Sequence, residues 1–143
     1  MKITEALFAE HQVFHNVFDH LERATPRATT VAEIKALAAL MESMMKAHSD
    51  MEDQLFIRPL EHCFEQIGQR ETFHQEHDEI ERTLAQIRSA KQPKKARELL
   101  LAAVAASRKH VDKEERIVFP MAESVLSNKT LTSLAQAWRQ QRK

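Results

Sequence analysis

Apolar residues recur every three or four positions near the start of the chain, with one histidine among them. The positions of this seam are Leu7, His11, Phe14, Phe18 and Leu21. Spacings of four and three residues place side chains on one face of an α-helix. The pattern therefore predicts a helix from about Thr4 to Arg23, with a histidine on its buried face.

The next stretch predicts a second long helix that is bounded by characteristic residues. Thr30 is its expected N-cap, and Glu33, three residues later, completes a capping box. Pro59 is expected to break or kink this helix, because proline lacks the N–H that the helical ladder requires. A short connection then reaches Gly68, which is suited to the left-handed conformation that ends helices.

Two more long helices and one short helix follow. The third is predicted from about Glu71 to Ser89. The fourth starts at the turn around Pro93 and runs to about Phe119, where Pro120 is expected to stop it. A final short helix has an apolar stripe made of Leu131, Leu134 and Trp138, which packs either on its own bundle or in a homodimer contact.

The arrangement of these helices predicts the fold class. Four long helices joined by short connections pack as antiparallel neighbours. We expect an all-α protein: an up-down-up-down four-helix bundle with a short additional C-terminal helix, forming a single domain over residues 1–143.

The seams of the first two helices repeat in the next two. Adding 66 to the first seam gives the third-helix seam: Phe73, His77, Ile80, Leu84 and Ile87. The second helix has the seam Ile34, Leu37, Met41, Met45, His48, Glu52 and Leu55. Adding 62 gives the fourth-helix seam: Ala96, Leu99, Ala103, Ser107, His110, Glu114 and Ile117. This internal repeat predicts approximate two-fold symmetry.

The two halves place six ionisable residues on apolar seams: His11, His48, Glu52, His77, His110 and Glu114. A single His-x-x-x-Glu spacing is a weak signal, but its coincidence with matching seam positions in both halves is specific. Burying these groups without partners would cost several kcal/mol per charge, which is comparable with the stability of a whole domain. A bound cation would supply the missing partner.

The donor types indicate which metal is expected. Imidazole and carboxylate without thiolate favour iron or manganese, and zinc is also compatible. Six ligands suit two ions, each bound by two histidines and bridged by Glu52 and Glu114. Asp53 and Glu115 each follow a bridging glutamate by one residue, so a π-bulge could exchange the donors.

Composition limits the partners. Lys and Arg together number 21, as do Asp and Glu, so no strong field is expected to attract nucleic acid. No segment approaches the roughly 20 apolar residues of a membrane span. The single cysteine, Cys63, excludes an internal disulfide framework, and we expect a cytoplasmic protein.

These residues resemble the hemerythrin-like, or HHE cation-binding, domains. The family's order of a His, an HxxxE, a His and a second HxxxE is matched by the six residues above, and "EERIVFP" from Glu114 to Pro120 is similar too. The resemblance covers about residues 5–125. It implies a left-handed four-helix bundle that holds two non-haem iron ions with an oxo or hydroxo bridge and two carboxylate bridges.

The resemblance also implies a reaction class. Members bind dioxygen, sense oxygen or iron, respond to nitric oxide or decompose peroxide, so carrier, sensor and enzyme remain open. Oxygen-carrying members have a further histidine where this chain has Phe73. His15 and His74 are the candidates for a fifth histidine ligand, although we expect each to lie outside the ligand set. Glu10, Glu76 and Glu81 are expected on the solvated face.

Overall fold

Helices account for nearly all of the structure. A computed structural model describes residues 1–66, 68 and 70–143. Its helices are α1 (Ile3–Ala24), α2 (Val31–Glu52), α3 (Arg58–Gln66), α4 (Arg70–Ser89), α5 (Pro93–Lys113), α6 (Phe119–Val125) and α7 (Asn128–Gln141). A 3-10 turn, Thr25–Arg27, follows α1, and the described part of the chain contains no strand. The all-α prediction is confirmed.

Two π-helical segments continue the second and fourth predicted helices past their expected ends, into α3 and α6. The short connection expected before Gly68 is helical over Arg58–Gln66, so that expectation is wrong. Asp53–Ile57 connects α2 to α3, and Glu114–Val118 connects α5 to α6. In each case the backbone stays helical, so α2–α3 and α5–α6 form two continuous rods. Together with α1 and α4 they make the four-helix bundle, and α7 packs across one end against α1.

Neither Pro59 nor Pro120 ends its helix, so the predicted stop at Pro120 is wrong. The N–H of Arg58 donates to the Asp53 carbonyl, and the N–H of Phe119 donates to the Glu114 carbonyl, each spanning five residues. A π turn is wider than an α turn and interrupts the regular ladder. The proline that follows it therefore has room for its ring, and its missing N–H falls where the ladder is already broken.

The predicted N-cap at Thr30 and the predicted helix-ending glycine at Gly68 are both observed. Thr30 is the N-cap of α2, where its Oγ1 accepts from the Glu33 N–H at 3.2 Å. The Glu33 carboxylate accepts from the N–H of Thr29 at 3.3 Å instead of that of Thr30. Gly68 has φ +70° and donates its N–H to the Glu65 carbonyl at 3.1 Å. Such left-handed residues commonly end helices.

The core has two apolar clusters. One, the far cluster, contains Phe14, Phe18, Leu21, Ile34, Met41, Ile80, Leu84, Ile87 and Leu100, among others. The other, the near cluster, contains Ile3, Leu7, Phe56, Leu60, Phe64, Phe73, Val118, Phe119 and Leu131, among others. Each long rod passes through both clusters, so the ionisable residues of its seam lie between two apolar layers.

The short helix α7 covers the near cluster. Its residues Leu131 and Ala135 are buried, and Leu134 and Trp138 are partly buried against the same cluster. The apolar stripe therefore packs on its own bundle, as one of the two alternatives predicted. Among the residues that the structure describes, no helix combines the length and hydropathy needed to cross a bilayer.

Candidate metal centre

The six predicted residues converge at the middle of the bundle. Five of them are buried, and His77 is nearly so. Their potential ligand atoms form two overlapping groups, within each of which every atom lies within 4.8 Å of the others. The groups are His11, His48, Glu52 and Glu114, and Glu52, His77 and His110. The sequence pattern thus selects residues that the fold brings to one place.

The histidines form two pairs, and each half of the chain contributes one pair. The Nε2 atoms of His11 and His48 lie 3.2 Å apart, and those of His77 and His110 lie 2.7 Å apart. Two imidazole nitrogens that face each other can share only one proton, which leaves a nitrogen lone pair directed into the centre. Each pair therefore offers the donor arrangement of a two-histidine metal site.

The two buried glutamates lie between the histidine pairs. Glu52 places Oε2 2.9 Å from His48 Nε2 and Oε1 3.9 Å from His77 Nε2. Glu114 places Oε1 3.1 Å from His110 Nε2 and 3.9 Å from His11 Nε2. Each carboxylate therefore contacts both pairs, which is the position that a bridging ligand requires.

Each glutamate also has a buried oxygen without a partner. Glu52 Oε1 and Glu114 Oε2 have no hydrogen-bond partner when both carboxylates are ionised, and their one remaining option is a proton on Glu114 that is shared with Glu52. An unpaired buried carboxylate oxygen is costly, and native interiors rarely keep one. Two such oxygens among four imidazoles fit a cation-binding centre better than a set of histidines that are satisfied by the protein alone.

Two acidic residues hold the outer nitrogens of His48 and His110. His48 Nδ1 lies 3.3 Å from Glu10 Oε2, and His110 Nδ1 lies 2.8 Å from Glu76 Oε2. The expectation that Glu10 and Glu76 belong to the solvated face is wrong. Each immediately precedes a seam histidine, and they repeat at the same shift of 66, which is the signal that could have identified them.

Two further acidic residues lie on the outer side of His11 and His77. Glu115 Oε1 lies 3.2 Å from His11 Nδ1, and Asp53 Oδ1 lies 3.9 Å from His77 Nδ1. Both face the outer edge of an imidazole and not the centre. The π segments, which begin at Asp53 and at Glu114, therefore do not bring Asp53 and Glu115 into the positions of Glu52 and Glu114. Asp53 and Glu115 repeat at the shift of 62. All four imidazoles thus have a carboxylate on the side away from the centre.

The C-terminal helix contacts the centre through Glu10. Trp138 Nε1 donates to Glu10 Oε1 at 2.8 Å, and Arg142 donates to both carboxylate oxygens at 2.8 Å. At the equivalent position, Glu76 accepts from Lys113 at 3.0 Å, a residue of the same rod as His110. No pattern in the sequence indicates that α7 reaches this site.

Neither candidate for a fifth histidine enters the ligand groups. His15 Nε2 lies 3.3 Å from Glu115 Oε1, and its side chain is 30% exposed. His74 Nε2 lies 3.7 Å from Glu61 Oε1, and its side chain is 48% exposed. Phe73 lies beside His74, with ring centroids 6.4 Å apart, and packs against the centre. Its ring centroid lies 5.0 Å from that of His77 and 4.8 Å from that of His110.

Electrostatics divide each histidine pair into one proton-binding and one neutral member. Burial and the neighbouring His48 lower the pKa of His11 to about 3, and burial and His110 lower the pKa of His77 to about 4. Burial also acts to lower the pKa of His48, but Glu52 and Glu10 outweigh it and raise that pKa to about 10.

The second half behaves in the same way. Burial acts to lower the pKa of His110, but Glu114 and Glu76 raise it to about 10. Burial and the Glu52 charge raise the pKa of Glu114. Burial also acts to raise the pKa of Glu52, but the charge of His48 and the hydrogen bonds with Glu114 and His48 together lower it. A cation that bound to these residues would displace the protons of His48, His110 and Glu114, so its binding would be linked to proton release.

Comparison with known families agrees with this geometry. The family model described as "Hemerythrin: Hemerythrin HHE cation binding domain" matches residues 2–122 and, separately, residues 68–142. The second match starts 66 residues after the first, which is the shift that relates the seams of α1 and α4 (68 − 2 = 66). No curated protein and no solved structure matches the chain at a significant level.

Proposed function

Since the chain belongs to the hemerythrin HHE cation-binding domain family, we propose that its centre holds two non-haem iron ions with an oxo or hydroxo bridge. We propose further that this di-iron centre binds or reacts with a small oxidant, namely dioxygen, peroxide or nitric oxide. Manganese and zinc are compatible with the same donors. The family and the buried His/Glu cluster support a metal cofactor, and the identity of the metal and of the oxidant is our proposal.

The observation that carries the proposal is the sharing of two carboxylates by two histidine pairs. His11 and His48 would hold one ion, and His77 and His110 would hold the other. Glu52 and Glu114 would bridge them, because each lies within 3.9 Å of a nitrogen in both pairs. This gives four protein donors per ion, whereas an octahedral ion accepts six.

The chain itself orients and shields the donors. Glu10, Glu76 and Glu115 accept from imidazole Nδ1 atoms, which directs each Nε2 inward and increases its basicity. Phe14 and Phe119 pack against His11, with ring centroids at 5.9 and 5.2 Å. These rings exclude water from that side of the centre. Bound iron would supply a redox-active Lewis acid that a small oxidant can reach.

A second candidate function is a non-catalytic oxygen or iron sensor, or a metal-handling module. The observation that favours it is the contact of α7 with Glu10, which in turn holds His48. A change in the metal at His48 would be transmitted to the packing of a peripheral helix. Hydrogen exchange in α7, measured with and without metal, tests this candidate; equal protection in both states would reject it.

Location and assembly are also proposals. The single cysteine, Cys63, and the absence of charge excess support a cytoplasmic protein that acts as a monomer or homodimer without nucleic-acid or membrane partners. The whole chain is proposed to act as one domain. Size measurement in solution and cell fractionation are the direct tests.

Metal analysis is the main test of the proposed function. Protein produced with iron should contain about two iron ions per chain and show the visible absorption of an oxo-bridged pair. His110→Ala should abolish binding. His62→Ala is the matched control, because His62 is exposed and bonded to Gln66 at 3.1 Å. Equal iron loss in both variants, or a folded protein that takes up no metal, would reject the ligand set.

Reactivity distinguishes the two candidate functions. The iron-loaded protein is mixed in separate experiments with dioxygen, hydrogen peroxide and nitric oxide, while absorbance and peroxide consumption are followed. Turnover of peroxide supports an enzyme, whereas saturable binding with a change in α7 supports a sensor. No response to any of the three probes would contradict an enzyme and an oxygen sensor, and would leave only the iron-sensing or metal-handling alternative.

A further inference from the structure

A cavity lies between α2 and α4 and reaches the edge of the metal centre. It has a volume of about 230 Å³, and its lining includes the buried residues Met45, Ile80 and Leu84 together with His77 of the centre. The His77 side chain is 13% exposed, whereas those of His11, His48 and His110 are between 0 and 3% exposed. Of the four histidines, His77 is therefore the one with a path to solvent.

The equivalent space in the other half is filled. Subtracting 66 from Ile80 and Leu84 gives Phe14 and Phe18. Phe14 packs edge-on against His48 with ring centroids 4.8 Å apart, and Phe18 is fully buried. Two aromatic rings therefore occupy the position at which α4 has two aliphatic side chains.

The outer surface of the filled side is also sealed. The Arg108 guanidinium lies 5.6 Å from the centroid of the Phe18 ring. It is held there by Glu22 at 2.7 Å and by a contact with Asp19. A separate depression beside Phe119 is lined by none of the six central residues. The two metal positions thus have the same donors but differ in access.

The lining of the open cavity indicates the kind of molecule that it admits. The charged residues that line the cavity are balanced, because Glu42 and Glu81 are matched by Lys46 and Arg88, and Arg88 pairs with Glu42. Its walls further in are apolar. A charged ligand would lose hydration there without gaining a counter-charge, whereas a small uncharged molecule would not.

We propose that this cavity is the entry and holding site for the small uncharged oxidant, and that it delivers the oxidant to the metal position formed by Glu52, His77 and His110. The His11–His48 position receives no ligand directly from solvent. This inference rests on the proposed di-iron function, and it adds which of the two positions is open and which residues determine the access.

Blocking the cavity mouth provides the first test. Ser49 lines the cavity and is partly exposed, so Ser49→Phe places a ring across the entrance without emptying the core. The control is Ser133→Phe, the same change at an exposed position on α7. Both variants should keep the iron content of the parent protein. In Ser49→Phe alone, the absorbance change on mixing with nitric oxide should slow by at least about tenfold.

Exchanging the residues of the two halves provides a sharper test. Ile80→Phe with Leu84→Phe should close the cavity and slow the reaction with nitric oxide. Phe14→Ile with Phe18→Leu should create a second route and make the reaction faster. Circular dichroism and thermal unfolding of each variant identify any that fail to fold, in which case the surface variant Ser49→Phe decides the question.

A structural readout completes the design, because it does not depend on the reaction. Crystals under xenon pressure should show xenon between Met45, Ile80 and Leu84 in the parent protein, and none there in Ser49→Phe. Xenon beside Phe14 and Phe18 instead, or equal rates for Ser49→Phe and Ser133→Phe, would overturn the inference. A parent protein that binds no iron would overturn the proposed function itself, which is a distinguishable result.

Discussion

The two halves of this bundle have the same candidate metal donors in different surroundings. His11 and His48 lie behind Phe14 and Phe18, whereas the equivalent pair, His77 and His110, lies beside a cavity lined by aliphatic side chains. The ligands are constrained by the geometry of the cation, while the residues one turn away are constrained only by packing. A repeated metal site can therefore become functionally asymmetric without any change in its ligands.

The outer carboxylates differ between the halves in a second way. Glu10 is bonded by Trp138 and Arg142 of α7, whereas Glu76 is bonded by Lys113. Burial opposes the shift, but hydrogen bonds from His48 and Arg142 lower the pKa of Glu10 to about 2. The hydrogen bond from His110 lowers the pKa of Glu76 to the same value. Glu10 and Glu76 therefore have the same charge, and they differ in which helix provides the residues that bond to them.

The largest expected effect comes from a residue that both halves share. Glu52→Ala removes a donor that contacts both histidine pairs, so affinity at both metal positions should fall by more than about 100-fold. His11→Ala removes a donor from one pair and should retain more metal. Metal content after dialysis measures the difference. Equal retention by the two variants would mean that Glu52 is not shared.

Core packing far from the centre should be alike in the two halves. Leu21 and Ile87 are related by the shift of 66, and both are fully buried in the far cluster. Leu21→Ala and Ile87→Ala should each lower the free energy of unfolding by about 2–5 kcal/mol. Chemical denaturation of the metal-free protein measures both. If the loss of unfolding free energy fell within this range for one variant and outside it for the other, the asymmetry would extend into the packing.

Neutralising the outer carboxylates should affect both halves but α7 in only one. Glu10→Gln and Glu76→Gln keep the shape of the side chain and remove its charge, so each should weaken metal binding about 10-fold to 100-fold. Competition with a chelator gives these affinities. Only Glu10→Gln should also reduce hydrogen-exchange protection in α7, because it removes the ion pair with Arg142. Reduced protection in Glu76→Gln would argue against a specific link.

The smallest effect is expected from a single hydrogen bond. Trp138→Phe keeps the apolar contact with the near cluster but removes the N–H that donates to Glu10. Since Arg142 still pairs with Glu10, the cost should be only about 1 kcal/mol of unfolding free energy. Thermal unfolding together with hydrogen exchange in α7 measures it. Unchanged protection of α7 would show that the Trp138 bond does not hold this helix.

Much of the fold and of the centre could be predicted because both depend on helical periodicity. His11 and His77 are on seams whose spacing is visible without any tertiary information, and the repeat at 66 and 62 aligns them with the His-x-x-x-Glu pairs. Whether these six residues ligate metal remains a prediction. The structure establishes that they meet.

The incorrect predictions of buried positions lie where the chain changes from α-helical to π-helical geometry. An ordinary α-helix would place Leu55 and Ile117 on the seams, but Leu55 is only partly buried and Ile117 is 47% exposed. Phe56 and Val118 are buried instead. The buried positions His48, Glu52, Phe56, Leu60 and Phe64 recur at intervals of four residues. In an α-helix each such step drifts by about 40°. That uninterrupted run was the available sign of a π turn.

Other features depend on distances between helices, which a seam pattern does not contain. The bonds from Glu10 to His48 and Trp138 join three separate helices. The cavity beside His77 depends on how far α2 lies from α4. Spacing along one helix fixes direction but not separation, so neither feature could be read from the sequence.

Each long rod contains one π segment, and this segment has one residue more in its turn than a regular α-helix would have there. Every residue of an α-helix advances the winding by about 100°, so the added residue changes the rotation of the helix after the π segment relative to the helix before it. Removing one residue from Asp53–Ile57 would leave His48 in place but turn α3 by roughly a quarter of a revolution. Phe56, Leu60 and Phe64 would then leave the near cluster, although no ligand had been altered.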